Sequence, residues 1–223
     1  MEKHFVTIKA IDHVTHDTLR VVTEKPGNYS FVPGQATEMA INKNGWQNEK
    51  RPFTFTSLPE QDHLEFIIKT YPDHDGATDK LLDMKAGDEL ILHEVFGDIR
   101  YKGEGIFIAG GAGMTPFLCI LRDLHEKGQV GNNKMIFANK TTADIILKEE
   151  LEYLLGDNLV HVLSEEEKEG YVHGMVTRDL LEKQLDGFKG HAYICGPPPM
   201  MKAVEEQLAE LGLPKSRLIR EAW

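Results

Sequence analysis

Apolar and polar positions follow two different patterns along the chain, and the pattern changes near residue 101. Before that point, short runs of apolar and β-branched residues alternate with turns rich in Gly, Pro and Asn, which is typical of an antiparallel barrel or sandwich. One helix is predicted in this half, near Ala77–Met84. The predicted strands are Phe5–Ile8, Thr18–Val22, Ala36–Ile41, Phe53–Thr56 and Leu64–Lys69.

After Gly105, apolar strands alternate with segments of helical periodicity, which predicts an α/β layer around a parallel sheet. The predicted strands are Ile106–Ala109, Lys134–Ala138, Leu159–Leu163 and His191–Cys195, and the predicted helices are Pro116–Lys127, Lys148–Leu155, Thr177–Gln184 and Met200–Leu211. We therefore predict two domains: an antiparallel β-barrel over residues 1–101 and an α/β domain with a parallel sheet over residues 102–223.

Composition narrows the function. The 223 residues include no apolar run of about 18 that could span a bilayer, and the start of the chain has no secretory pattern, so we expect a cytoplasmic protein without a membrane partner. A net charge of -11 argues against nonspecific nucleic-acid binding. The 2 cysteines cannot supply the four thiolates of an iron–sulfur cluster. The 10 histidines form no ligand-like pair, so no metal site is predicted.

A glycine-rich segment, Gly110-Gly111-Ala112-Gly113-Met114-Thr115-Pro116, follows a buried strand and opens a helix. Glycines there let the backbone approach a phosphate, and the helix would direct N–H groups and the positive end of its dipole at a pyrophosphate. The segment departs from the Gly-x-Gly-x-x-Gly fingerprint, because Pro116 follows in the third position. A plain strand-turn-helix corner is the alternative.

The segment Cys195-Gly196-Pro197-Pro198-Pro199-Met200 also ends a strand and starts a helix. Its prolines make a stiff turn that could hold Cys195 beside a reacting ring. The alternative is a small buried residue before a loop. Ligands of parallel sheets bind at the carboxyl ends of strands, which is where both segments lie.

Two segments of the first half could hold a flavin. Arg51-Pro52-Phe53-Thr54 combines a cation for a diphosphate, a ring that can pack along an isoalloxazine and a hydroxyl that can reach a ring nitrogen. Gly76-Ala77-Thr78 begins the predicted helix and could offer N–H groups to a phosphate. The alternatives are the start of an edge strand with a surface Arg, and a simple helix cap.

Taken in order, these segments resemble the ferredoxin-NADP reductase superfamily, and the resemblance covers essentially the whole chain. Arg51–Thr54 resembles its flavin motif, and Gly76–Thr78 its pyrophosphate helix. Gly110–Pro116 resembles its nicotinamide-nucleotide loop, which accepts the proline. Cys195-Gly196-Pro197 resembles its motif at the nicotinamide. The resemblance implies FAD contacts from Arg51, Pro52, Phe53, Thr54, Ile68, Lys69, Tyr71, Gly76, Ala77, Thr78 and Trp223, and NAD(P)H contacts from Gly110, Gly111, Gly113, Met114, Thr115, Pro116, Lys140, Cys195, Gly196, Pro197 and Met200.

The resemblance also implies the chemistry. A reduced nicotinamide nucleotide gives hydride to FAD, and the electrons pass to a small redox protein of the flavodoxin or ferredoxin type. Thr54 would hydrogen-bond near the flavin N5, Cys195 would flank the nicotinamide, and Glu221 would assist proton movement or tune the potential. Trp223 would stack on the flavin or serve as a packing plug. Thr54 departs from the Ser of plant-type members, and its extra methyl group would alter the approach of the hydroxyl.

The donor and the acceptor are less specified. Carboxylates at Glu165 would repel a ribose 2′-phosphate, which favours NADH over NADPH. Against this, Lys140 and Lys168 could approach that phosphate, and the run Glu165-Glu166-Glu167 could be a solvated loop. The alternative functions are an NAD(P)H-flavin reductase and a non-catalytic, FAD-carrying electron-transfer subunit.

Overall fold

The computed structural model describes residues 3–71, 76–185 and 189–221. The chain divides into two compact units between Gly97 and Asp98, a few residues before the position suggested by the change of sequence pattern. The first unit holds one six-stranded sheet and the second holds another.

The first unit is an antiparallel sheet in the order β4-β3-β6-β1-β2-β5. Its strands are β1 His4–Thr15, β2 Thr18–Glu24, β3 Ala36–Ile41, β4 Arg51–Thr54, β5 His63–Lys69 and β6 Glu89–Phe96. Its described residues also form the helix α1 Ala77–Lys80, followed by a 3-10 turn over Leu81–Asp83. The predicted antiparallel architecture is confirmed.

Strand β1 gives this sheet its curvature, because its two ends pair with different neighbours. Residues from His4 to Thr7 pair with β6, and residues from Ile8 onward pair with β2. The two outer strands meet where the Thr56 N–H donates to the Glu65 carbonyl oxygen at 2.8 Å. This bond joins the two ends of the sheet, as a barrel requires.

Strand β6 is absent from the sequence-based expectation, although it lies between β1 and β3. Its residues from Leu90 to His93 are buried in succession, so the strand lacks the alternation that marks a half-exposed strand. The turn before it, around Gly87, was the local signal that a strand could begin there.

The second unit is a parallel sheet in the order β10-β9-β8-β7-β11-β12, and its parallel architecture is also confirmed. The strands are β7 Gly105–Gly110, β8 Lys134–Asn139, β9 Leu159–Leu163, β10 Val172–His173, β11 His191–Cys195 and β12 Leu218–Ile219. The helices are α2 Thr115–Glu126, α3 Lys148–Leu155, α4 Arg178–Leu185 and α5 Pro198–Glu210. The two-residue strands β10 and β12 are too short to show a period in the sequence.

Strand β7 is buried because it lies at the centre of the second sheet. All six residues of β7 are buried, because β8 and β11 flank the strand on both edges. Helix α2 buries an apolar face that includes Phe117, whose ring lies 5.1 Å from that of Phe107. None of the described helices has both the length and the apolar character needed to cross a bilayer.

Asn133 anchors the start of β7. Its side chain is fully buried, its Oδ1 accepts the Gly105 N–H at 2.8 Å, and its Nδ2 donates to the Val130 carbonyl oxygen at 2.7 Å and to the Tyr101 hydroxyl at 3.0 Å. The amide therefore holds the turn before β8 against the first residue of β7.

We expect Asn133→Ala to lower the free energy of unfolding by about 2–3 kcal/mol, because it leaves the buried Gly105 N–H and the Val130 carbonyl unpaired. Urea unfolding monitored by circular dichroism measures this. The matched control is Asn132→Ala, since Asn132 is exposed and its amide contacts the Glu104 carboxylate. The control should change stability by less than about 0.5 kcal/mol. Equal effects in the two variants would contradict the anchoring role.

Candidate nucleotide and flavin sites

The glycine-rich segment is a 3-10 turn that connects β7 to α2. The turn covers Gly111–Met114, Gly111 has a φ of 52°, and Met114 precedes the first residue of α2. The Thr115 hydroxyl donates to the Ala112 carbonyl oxygen at 3.0 Å, and Pro116 lies in the first turn of the helix. The turn therefore places the amino end of α2 at the carboxyl edge of the sheet.

Two of its glycines are required by close packing against the segment after β11. A Cβ on Gly110 would lie 2.6 Å from Met200 Sδ and 2.8 Å from Pro197 Cδ. A Cβ on Gly113 would overlap the Cys195 carbonyl group, with 2.5 Å to its carbon. The two predicted nucleotide segments are thus one packed structure, because β7 and β11 are neighbours in the sheet.

Cys195 and Glu221 come together at this edge. Glu221 follows β12, which pairs in parallel with β11, and its carboxylate is buried and accepts the Asp98 N–H at 3.1 Å. Burial raises the pKa of the Cys195 thiol to about 12, and the charge of Glu221 contributes to the same shift. At neutral pH the thiol is protonated, so it can pack or donate a weak hydrogen bond but does not act as a thiolate.

The ends of β8 and β9 hold the predicted residues that select the donor. Lys140 Nζ lies 3.3 Å from Glu165 Oε1, and both side chains are more than half exposed, at 68% and 58%. Asn139, the last residue of β8, is buried, and neither polar atom of its amide has a hydrogen-bond partner among the described residues. An unpaired buried amide is costly, so its position next to Lys140 suits a ligand that supplies the missing partners.

Sequence reasoning missed Asn139 and the contact between Glu166 and Thr142. The Glu166 carboxylate accepts the Thr142 N–H at 2.6 Å and the Thr142 hydroxyl at 2.9 Å. The signal for Asn139 was its place at the end of an apolar strand. The Glu166 contact had no local signal, because it depends on β8 and β9 being neighbours.

The flavin motif forms β4 at the edge of the first sheet. Arg51 is about half exposed, and its guanidinium donates to the Lys50 carbonyl oxygen at 2.7 Å and lies 3.7 Å from the Glu49 carboxylate. Phe53 and Thr54 are half-buried, opposite Thr37 and Ala36 of β3 respectively. The strand therefore presents a cation, a ring and a hydroxyl at its surface.

The chain reverses direction between Thr56 and Glu65, whose backbones are hydrogen-bonded. Thr54, which precedes this bond, and the end of β5, which follows it, therefore lie on the same side of the bond. Ile68 is 1% exposed, so it belongs to the barrel core, and its predicted contact with FAD stays a prediction. The Tyr71 ring is exposed.

Lys69, which lies between Ile68 and Tyr71 in the chain, is paired with Asp17. Its Nζ lies 2.6 Å from Asp17 Oδ2. Burial opposes the charge of Asp17, but hydrogen bonds from Lys69, Thr15 and Thr18 outweigh it, so the pKa of Asp17 lies below its ordinary value. The pair fixes the Lys69 ammonium at the end of the strand.

The remaining predicted flavin residues are only partly described. Gly76 precedes α1 in an extended conformation, Ala77 is buried and Thr78 is half-buried. Trp223 lies outside the described residues. The predicted stacking of its ring therefore stays a prediction.

Comparison with known proteins shows that each half of the chain matches a known domain family. Residues 107–206 match the oxidoreductase NAD-binding domain, and residues 4–94 match an FAD-binding domain. The reductase component of propane 2-monooxygenase from Mycolicibacterium goodii is 30% identical over 97% of this chain and 66% of that protein. The chain belongs to the ferredoxin-NADP reductase superfamily. The resemblance that its motifs carry is thereby confirmed.

Other members of the superfamily agree with this assignment. NADH-cytochrome b5 reductase 2 from Mycosarcoma maydis is 29% identical over 89% of this chain and 63% of that protein. The crystal structure of a ferredoxin NADP+ reductase from Neisseria gonorrhoeae, with bound FAD and NADP, shares the fold with a TM-score of 0.84 at 20% identity, covering 99% of this chain and 98% of that one. The chain spans 62–66% of the length of the propane 2-monooxygenase reductase components that it matches.

We expect Gly113→Ala to lower the free energy of unfolding by about 2–3 kcal/mol, because the new methyl group overlaps the Cys195 carbonyl. Urea unfolding followed by circular dichroism measures the change. The control is Gly111→Ala in the same turn, where a Cβ meets nothing within 4 Å but the φ is positive. That variant should lose only about 1 kcal/mol. A smaller loss in Gly113→Ala than in the control would contradict the packing of the two segments.

Proposed function

We propose that this protein is an FAD-dependent reductase that takes hydride from NADH and passes electrons to a separate redox protein. The observation that carries the proposal is the packing of the Gly110–Pro116 turn against the Cys195–Met200 segment. Both follow central strands of a parallel sheet, at the edge where nucleotides bind in such folds.

The nicotinamide nucleotide would lie along the carboxyl ends of β7, β8, β9 and β11. The amino end of α2 would face the pyrophosphate with the positive end of its dipole, whereas the Thr115 N–H is already donated to the Ala112 carbonyl oxygen. Cys195 would flank the nicotinamide as a neutral thiol, since its pKa of about 12 keeps the proton in place. Pro197 and Met200 would fix the backbone beside it.

The first unit would hold FAD, and its described residues fit that group. The half-exposed guanidinium of Arg51 suits the diphosphate, and the half-buried Phe53 and Thr54 suit the isoalloxazine. Lys69, Tyr71 and the segment Gly76–Thr78 would line the rest of the cofactor. When bound, FAD accepts two electrons together and releases them one at a time.

Thr54 and Glu221 would act on protons. The Thr54 hydroxyl would donate to the flavin N5, the atom that receives hydride. Glu221 would assist proton movement or tune the flavin potential through a carboxylate that is 6% exposed and held by the Asp98 N–H. A buried carboxylate with one fixed partner keeps its orientation, which proton transfer requires.

The donor would be NADH because Glu165 would lie where a 2′-phosphate would need a cation. The nearby Lys140 is already paired with it at 3.3 Å. A 2′-phosphate would meet the Glu165 charge, whereas a free 2′-hydroxyl can donate a hydrogen bond to the carboxylate.

The acceptor would be a small protein of the ferredoxin or flavodoxin type. The similar proteins are named as reductase components of oxygenase systems and as cytochrome b5 reductases, and such names imply separate redox partners. The 2 cysteines of this chain supply no iron–sulfur cluster of its own.

The experiment is to mix the FAD-loaded protein anaerobically with NADH, and separately with NADPH, while following the loss of the oxidised flavin band. We expect NADH to bleach the flavin rapidly and NADPH to do so at least about tenfold less efficiently. A protein that retains FAD but is reduced by neither donor would contradict the proposal and favour an accessory subunit. A protein that does not retain FAD and turns over only with added free flavin would favour a flavin reductase.

We expect Glu165→Gln to raise kcat/KM for NADPH by about fivefold, because it removes one exposed negative charge and frees Lys140. Steady-state kinetics with both donors measure the change. The double variant Lys140→Met/Glu165→Gln should lose this gain, since the freed ammonium supplies it. A Glu165→Gln variant with an unchanged ratio of the two donors would contradict the assignment of Glu165.

A further inference from the structure

The side chain of Glu166 joins the turns that follow β8 and β9. Its carboxylate accepts both the N–H and the hydroxyl of Thr142, at 2.6 and 2.9 Å from Oε2. Hydrogen bonds from the Thr142 N–H and then its hydroxyl lower the pKa of Glu166. The carboxylate is therefore ionised at neutral pH and acts as a double acceptor.

Two backbone bonds precede this contact and lie between the same turns. The Ser164 N–H donates to the Asn139 carbonyl oxygen at 3.0 Å, and the Glu165 N–H donates to the Lys140 carbonyl oxygen at 2.9 Å. The Glu166 contact is the next link after these two. Lys140 and Glu165 therefore lie between the strands on one side and the Glu166–Thr142 contact on the other.

Both partners of the contact are themselves fixed. On one side, Asp144 accepts the Thr141 N–H at 2.9 Å and the Thr141 hydroxyl at 2.6 Å, which orders the turn that contains Thr142. On the other side, the His173 ring nitrogen Nδ1 lies 3.0 Å from the Glu166 carbonyl oxygen. The carboxylate thus links two ordered turns.

We propose that Glu166 is a positioning residue for donor selection: it ties the turn after β9 to Thr142 and so holds the Lys140–Glu165 pair at the ribose of the nucleotide. This inference rests on the proposed function, because it deepens the assignment of that site. The pair at 3.3 Å consists of two long, exposed side chains that attract each other only weakly, so the separation of their backbones decides whether they can meet.

The three consecutive glutamates therefore have different roles. Glu165 pairs with Lys140 and would face the nucleotide, Glu166 is 29% exposed and bonded to Thr142, and Glu167 is exposed. The solvated-loop interpretation of this run does not fit Glu166. Glu167 offers a matched control of the same charge, one residue away.

The test is calorimetric titration of the whole protein with ADP-ribose and with 2′-phospho-ADP-ribose, for the wild type and for Glu166→Ala, Glu166→Gln and Glu167→Ala. We expect Glu166→Ala to weaken ADP-ribose binding by about fivefold, equivalent to about one net hydrogen bond. This variant should also reduce the ratio by which the protein prefers ADP-ribose to 2′-phospho-ADP-ribose. Glu166→Gln should keep most of the ADP-ribose affinity and most of the preference for ADP-ribose, since its amide oxygen can accept hydrogen bonds from Thr142. Glu167→Ala should match the wild type, and KM for NADH should rise in Glu166→Ala with kcat unchanged.

The outcomes separate this inference from the proposed function. If the wild type binds ADP-ribose and Glu166→Ala binds both analogues as the wild type does, the inference is overturned and the function stands. If Glu166→Ala and Glu166→Gln lose affinity for both analogues equally, with the ratio unchanged, the role is merely structural and the inference is overturned. A wild type that binds neither analogue overturns both.

Discussion

The second unit depends on how closely two strand ends can approach. Strands β7 and β11 are neighbours, so the turns that leave them occupy the same space at the carboxyl edge of the sheet. They fit because Gly110 and Gly113 have no side chain, which lets Met200 and the Cys195 carbonyl take that volume. The glycines that sequence reasoning assigned to phosphate approach thus also build the site. This constraint places the amino end of α2 and the thiol of Cys195 at one edge, where a single nucleotide can contact both.

Electrostatics then divides this edge into two regions. Around Cys195 the thiol is partly buried beside the buried Glu221, and burial with the nearby Glu221 charge keeps the thiol protonated. Around Lys140 and Glu165 the side chains are exposed and paired, and their geometry depends on backbone bonds between the turns. A partly buried region suits the reacting ring, because fixed dipoles act more strongly where less water is present. An exposed, charged region suits the ribose, where recognition and release matter.

The sequence predicts the architecture well because both halves carry local signals. Turn residues and short β-branched runs indicated the antiparallel half, and alternating strands and helices indicated the parallel half. Strand β6 was missed because four consecutive buried residues show no alternation. The long strand β1 was predicted only as Phe5–Ile8, because its later residues, such as Asp12 and His13, are polar and exposed. Contacts such as Glu221 with Asp98 and Glu166 with Thr142 join residues far apart in the chain, and no local pattern encodes them.

The central claim is that one nucleotide contacts the packed turns after β7 and β11 and the two turns after β8 and β9. The most direct measurement is the change in backbone amide NMR shifts when NAD+ is added to the 15N-labelled, FAD-loaded protein. The account predicts that, within the second unit, shifts concentrate at Gly110–Thr115, at Cys195, Gly196 and Met200, and at Asn139–Thr142 and Ser164–Glu166, with little change at the amino ends of the strands. Shifts absent from Gly110–Pro116 and Cys195–Met200, or concentrated at the opposite edge of the sheet, would contradict it.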